Sequence, residues 1–105
     1  MPIGVIVVEG IPRKTISKEA SDSPQALDST DWLDQHGKEP EQAVITVEDN
    51  PVRVAFQTTP VPETTGHTLA VDDILKLNSL GAIRALRFVN EEVGQNSTLQ
   101  ITFQY

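Results

Sequence analysis

Residues 43–48 read Ala43-Val44-Ile45-Thr46-Val47-Glu48, and residues 52–57 read Val52-Arg53-Val54-Ala55-Phe56-Gln57, with Asp49-Asn50-Pro51 between them. In the first run Ala43, Ile45 and Val47 alternate with Val44, Thr46 and Glu48. In the second, Val52, Val54 and Phe56 alternate with Arg53, Ala55 and Gln57. Successive side chains on a strand point to opposite faces, so a period of two marks a half-buried strand. Two such runs across a turn of Asp, Asn and Pro predict consecutive strands of one antiparallel sheet. A third run is cleaner: Leu99, Ile101, Phe103 and Tyr105 fall on one face, and Gln100, Thr102 and Gln104 on the other. It predicts a half-buried strand with the first set in the core.

Between these runs lies Asp72 to Glu92, which supports two readings. Asp72 and Asp73 suit a helix cap, and Ile74, Leu77, Ile83, Leu86 and Val89 include helical spacings. Against a single helix, Leu75 and Leu77 alternate with Lys76, Asn78-Ser79 and Gly81 break the middle, and Arg87-Phe88-Val89 favours extended backbone.

Upstream, residues 20–42 are rich in Ser, Asp, Pro and Gln and read as a long polar surface loop. Ser29 and Thr30 ahead of Asp31-Trp32-Leu33-Asp34 suit the cap of one helical turn, with Trp32 and Leu33 anchoring the loop. Residues 1–19 form an N-terminal arm, apolar at first and charged at its end. Drawn as a strand, Ile3, Val5 and Val7 point one way and Ile6 and Val8 the other. A strand apolar on both faces needs cover on both sides, which makes it either a buried core strand or an arm that docks on a neighbouring chain. Gly10 and Pro12 interrupt the pattern, so Arg13 to Ser17 is expected as a separate short strand. The expected organisation is therefore an arm (1–19) and one β domain (20–105).

Composition narrows the function classes. The chain of 105 residues suits one domain with one core. Aromatics at 5% leave little to line a deep cavity, and with no cysteine neither a disulfide nor a thiolate metal site can form. A net charge of −7 and scattered basic residues, of which Arg13-Lys14 is the one adjacent pair, argue against nucleic-acid binding. No apolar run approaches a membrane span. Met1 to Val8 lacks the basic flank and small-residue cleavage site of a signal peptide, so synthesis in the cytosol is expected.

Candidate chemistry is sparse. His36 and His67 are far apart, each in an expected loop, without the local spacing of a metal site. Asp72-Asp73 and Glu91-Glu92 are paired carboxylates, but neighbours on a strand point to opposite faces and form no dyad by themselves. They suit turns and caps; calcium on loop oxygens is the one metal alternative. Asn96-Ser97-Thr98 matches a glycosylation sequon without a secretion signal beside it. No catalytic residue, metal ligand or cofactor is therefore expected, and the chain reads as a structural or binding module rather than an enzyme.

The C-terminal half resembles a family of small virion proteins of tailed bacteriophages. The resemblance runs through Ala43 to Glu48, Pro51 to Phe56, Thr59-Pro60, Gly66-His67-Thr68-Leu69, Asp73 to Leu77, Ile83, Leu86 to Val89 and Thr98 to Phe103. It rests on the order and spacing of these segments across roughly the last sixty residues, each being weak alone. It implies a small jelly-roll-like antiparallel β-sandwich, with strands near Ile74 to Leu77 and Ile83 to Val89. It also implies a capsid cement or decoration protein on the outer surface of the virion, made in the host cytoplasm. The implied partners are copies of itself, as a homotrimer, and the major capsid protein. The alternatives are a head–tail or tail accessory part, or a carbohydrate-binding sandwich using Trp32 and Tyr105. The N-terminal segment departs from the simplest form of the pattern, and Ile3, Val5, Ile6, Val7 and Val8 are the expected oligomer or capsid interface.

Overall fold

Alternation of period two dominates the chain, and strands dominate the structure, a computed structural model that describes residues 13–105. The strands are β1 (Arg13–Ala20), β2 (Gln25–Ala26), β3 (Gln42–Glu48), β4 (Val52–Phe56), β5 (His67–Leu69), β6 (Ile74–Leu77), β7 (Leu86–Asn90) and β8 (Ser97–Gln104). Two short helices, α1 (Ser29–Trp32) and α2 (Leu80–Ala85), interrupt them. The strands form two antiparallel four-stranded sheets, ordered β1-β8-β3-β6 and β2-β7-β4-β5.

The pairing follows one rule. β1 pairs with β8, β2 with β7, β3 with β6 and β4 with β5, as in a single long antiparallel ribbon folded at its middle. Two further pairings, β3 with β8 and β4 with β7, close the rolled ribbon into the two sheets. The inner faces share one core: Ala43, Ile45, Val47, Leu99, Ile101 and Phe103 from the first sheet meet Val52, Val54, Leu86 and Phe88 from the second. Ile83 and Leu27 join from α2 and the polar loop. Burial of these side chains is the main stabilising term.

The strands read from 43–48 and 52–57 are present, but they are not neighbours in one sheet: β3 belongs to the first and β4 to the second. The chain changes sheets at Asp49, whose φ of 68° turns it sharply. The peptide groups of that corner find partners in the start of β8. The Ser97 hydroxyl donates to the Glu48 carbonyl, the Asn50 N–H donates to Ser97 Oγ at 3.2 Å, and Asn50 Nδ2 donates to the Asn96 carbonyl at 2.8 Å. A hydrogen-bonded corner of this kind replaces the hairpin that Asp-Asn-Pro suggested. Ser97 of the sequon is accordingly buried and structural.

Alternation also fails in β4 and β7. Ala55 and Val89 lie on the outer face of the second sheet and are nevertheless buried, while Phe56 is exposed. The loop between β4 and β5 accounts for this. Pro60 is buried, the Gln57 N–H donates to the Ala85 carbonyl at 2.8 Å, and the Glu63 N–H donates to the Glu91 carbonyl at 2.9 Å. The loop therefore spans from β4 to the end of β7 and covers that face.

The segment from Asp72 to Glu92 resolves as strand, helix and strand. β6 buries Leu77 and half-buries Leu75, as their alternation with Lys76 suggested, and β7 buries Leu86 and Phe88. The expected strand from Ile83 is instead split, because Ser79 caps α2 by accepting from the Ala82 N–H at 3.1 Å. Asp73 serves the preceding turn, accepting from the Ala70 N–H at 2.8 Å.

The boundary between arm and β domain also moves. Residues 13–19, read as part of the arm, belong with Ala20 to β1, an edge strand paired along its whole length with β8. The polar loop holds β2 and α1. The helix cap is Asp28 rather than Ser29 or Thr30, and its carboxylate accepts from the Thr30 and Asp31 N–H groups in a capping box. Lys14 and Lys18, at inward positions of β1, tie this loop down: Lys14 donates to the Thr30 and Leu33 carbonyls at 3.2 and 3.0 Å, and Lys18 pairs with Asp31 at 3.3 Å. Inward lysines on an edge strand also discourage further strand addition there.

Candidate functional site

The two sheets differ in what their outer faces offer. The face of the second sheet lies under the β4–β5 loop, whereas the face of the first is uncovered among the described residues. Its side chains follow directly from the strand registers. One row crosses Thr15, Thr102, Val44 and Lys76, and the next crosses Ser17, Gln100, Thr46 and Ile74. Flanking rows hold Arg13, Gln104 and Gln42 at one end, and Glu19, Thr98 and Glu48 at the other.

The middle of this face is uncharged. Thr15 and Thr102 share a hydroxyl–hydroxyl bond of 2.9 Å, and the Ser17 hydroxyl donates to Gln100 Oε1 at 2.9 Å. Gln100 Nε2 in turn donates to Glu48 at 3.2 Å. These cross-strand bonds give Thr15, Thr102, Ser17 and Gln100 partners within the face, which reduces the cost of covering them. Val44 and Ile74 stand among them, Ile74 at 60% exposure. A groove of about 430 Å³ runs between Arg13 and Ile74 over Val44, Thr46 and Thr102. Charges sit at the margin, on Arg13, Glu19, Glu48 and Lys76. In a chain of net charge −7 this leaves an uncharged centre within a charged rim, and depletion of charge at the centre is one feature of protein–protein contact surfaces.

A second hollow, of about 610 Å³, lies beside α1 and is lined by Arg13, Lys14, Ser29, Thr30, Leu33 and Asp34 among others. It is a by-product of the loop anchor. Trp32 is no free platform: it packs on the core, its carbonyl accepts from the Tyr105 hydroxyl at 2.6 Å, and the Arg84 guanidinium lies 6.0 Å from its ring centre. Tyr105 is buried, and burial with the nearby Asp34 charge pushes its phenol above the ordinary value. The anchoring role expected for Trp32 is the one observed.

The other singled-out residues are placed apart. His36 is exposed in a loop, and His67, also read as a loop residue, opens β5. Among the described residues no three His, Asp or Glu side chains converge as a metal cluster would, and no helix is long and apolar enough to cross a membrane. Glu91 is not a partner of Glu92 but of β4 and β5: it accepts from Thr68 Oγ1 at 2.5 Å and from Arg53 Nε at 3.0 Å. Ile3, Val5, Ile6, Val7 and Val8, the expected interface, lie outside the described residues.

Sequence reading missed one buried polar junction. Asn90 is fully buried; its Nδ2 donates to Asp22 at 2.5 Å, and Asp22 also accepts from the Gly94 N–H at 2.7 Å. Asn90 Oδ1 has no partner among the described residues. Nothing in the local pattern marks Asn90, because its partners come from the polar loop and the β7–β8 turn.

These hydrogen bonds make stability depend on pH. The Asn90 amide and Gly94 N–H hold the Asp22 carboxyl below the usual carboxylate range. The Thr30 hydroxyl does so for Asp28, the Lys38 N–H for Asp34, and the Thr68 hydroxyl with Arg53 for Glu91, each against some desolvation. A carboxyl with a depressed folded-state pKa stabilises the fold fully above its unfolded value and loses that contribution as pH falls through the folded one. Melting temperature should therefore hold near neutrality and fall from about pH 4 downward. Glu91→Gln should melt lower at neutral pH and show a shallower acid slope in the same thermal scans. An unchanged slope would show that Glu91 carries none of the effect.

No protein-family model matches the chain, and no curated protein or solved structure matches it.

Proposed function

We propose that this chain is a structural, non-enzymatic virion component of a tailed phage, a cement or decoration protein that stabilises the capsid shell. The fold we assign is an eight-stranded jelly roll. The order β1-β8-β3-β6 facing β2-β7-β4-β5 supports it, since rolling one folded ribbon produces that arrangement. The observation that carries the functional reading is the first-sheet face, uncovered among the described residues, with its uncharged, hydrogen-bonded centre and charged rim. Such a face suits broad contact with protein, not a small ligand held by convergent charged groups. A cement protein works through many modest contacts at once, and multivalency raises retention by about 10²–10⁴ without any single strong site. The homotrimer and the major capsid protein are the partners this reading names, and the outer shell is its location. An acidic surface suits that position, because it resists adhesion to nucleic acid.

The carbohydrate alternative loses its platforms, as Tyr105 is buried and Trp32 is packed and hydrogen-bonded. A tail or head–tail position remains the second reading, since the same face would serve there. Immunogold labelling of purified virions, with mass spectrometry of the particles, tests both. Label over the shell at high copy number is the expected result. Label confined to the neck or tail would replace the first reading with the second, and absence from the particles would overturn both.

A further inference from the structure

We propose that the groove on the outer face of the first sheet is the seat for residues Ile3–Val8 of a second copy of the chain. This rests on the reading of the protein as a self-assembling structural component, and it names the surface that performs the assembly.

Three observations lead to it. Among the described residues nothing covers the face, and Val44 and Ile74 give it an apolar strip flanked by Thr46 and Thr102. Arg13, the first described residue, lines the same groove, so the chain reaches β1 at the rim of this face. Only Glu9-Gly10-Ile11-Pro12 separate Arg13 from the apolar run ending at Val8.

The double-sided pattern of that run selects a second copy. Drawn as a strand, Ile3, Val5 and Val7 require one apolar surface, and Ile6 and Val8 require another. A segment folded back on its own sheet would gain only the first and leave the other side in water. Exchange between copies gives each segment a sheet face beneath it and a neighbouring chain above, and in a closed ring every seat is filled. The alternative seat, strand addition to the β1 edge, is disfavoured by the inward Lys14 and Lys18. At the groove the Thr102 hydroxyl is already bonded to Thr15 and the Gln100 amide to Ser17 and Glu48, so an apolar segment can cover these groups without stranding them.

The chain has no cysteine, which makes cross-linking a clean test. Val5→Cys and Ile74→Cys are made in separate chains, which are mixed by denaturation and refolding and then oxidised. A covalent dimer joining one chain of each kind is expected, while Val93→Cys, exposed elsewhere on the surface, should give none with Val5→Cys. The doubly substituted chain should form linked multimers. Its conversion to a cyclised monomer would overturn the proposal in favour of a seat on the same copy. In parallel, Ile74→Lys should keep the β-type circular dichroism, because the side chain is mostly exposed. It should weaken self-association by about tenfold or more, as expected for a charge placed in an interface centre. Deletion of residues 1–10 should do the same. If the deletion abolishes the oligomer while Ile74→Lys leaves it intact, the segment docks elsewhere and this seat is wrong, although the structural role survives. If the cross-link forms but the chain is absent from virions, the seat stands and the cement role falls. A monomer at micromolar concentration by light scattering would overturn the seat outright.

Discussion

Phe103→Ala is expected to lower the unfolding free energy by roughly 3–5 kcal/mol, the range for deleting a buried phenyl ring. Phe103 lies toward one end of the first sheet but on a strand paired on both sides, opposite Lys14 of β1 and Ala43 of β3. It is fully buried in the cluster shared with the second sheet. Few aromatics are present to refill the space, the chain having three Phe, one Trp and one Tyr, and a strand paired on both edges cannot shift to close a cavity. Gln100→Ala, three residues earlier on the opposite face, should cost less than about 1 kcal/mol, since its bonds to Ser17 and Glu48 lie at the surface. Urea denaturation of the two variants beside the parent chain measures both. Equal losses would mean that the register of β8 is wrong.

Gly66→Ala should be the most damaging substitution at an otherwise unremarkable loop position, at about 2 kcal/mol or more. Two independent effects coincide there. Gly66 has φ of +117°, a conformation that side-chain-bearing residues rarely adopt, and a Cβ would stand 2.8 Å from the Val54 carbonyl oxygen. That oxygen belongs to β4, a strand paired with β5 and β7, so it cannot move aside without breaking a ladder. The Gly66 carbonyl also accepts from Arg53 Nη1 at 2.9 Å, and Arg53 in turn holds Glu91. The variant should therefore loosen β5 as well as lower the melting point. Gly37→Ala provides the contrast: its φ is +78°, but nothing lies within 4 Å of the added Cβ, so only backbone strain is felt. Hydrogen exchange at β5 together with thermal melts checks the pair, and equal losses at the two positions would remove the steric part of the explanation.

Where the structure agrees with the sequence, a local pattern was enough. Ala43, Ile45 and Val47, and again Leu99, Ile101 and Phe103, face the core because period-two alternation is set by strand geometry, whatever the strand pairs with. Leu75 and Leu77 against Lys76 placed β6 for the same reason. The outer-face residues followed from these strands by exclusion, so Val44, Thr46, Gln100 and Thr102 were legible as outward side chains. That they share one uncovered surface was not legible. It depends on β1, β8, β3 and β6 being neighbours, although long stretches of chain separate them.

Ala55, Val89 and Asn90 mark the limit from the other side. The β4–β5 loop lies over the first two, and Asp22 of the polar loop with Gly94 of the β7–β8 turn encloses the third. A pattern read along the chain cannot see such cover. The Asp49 corner failed for a related reason: Asp-Asn-Pro specifies a turn, but only the hydrogen bonds from Asn96 and Ser97 decide that the turn leads into the other sheet. The sequence by itself determined the strands, their inward faces and the acidic, cysteine-free character of the surface, because these are properties of residues and their immediate spacing. Tertiary structure alone decided which strands are neighbours and which face is uncovered among the described residues, because those depend on contacts between residues that the chain brings together only when it folds.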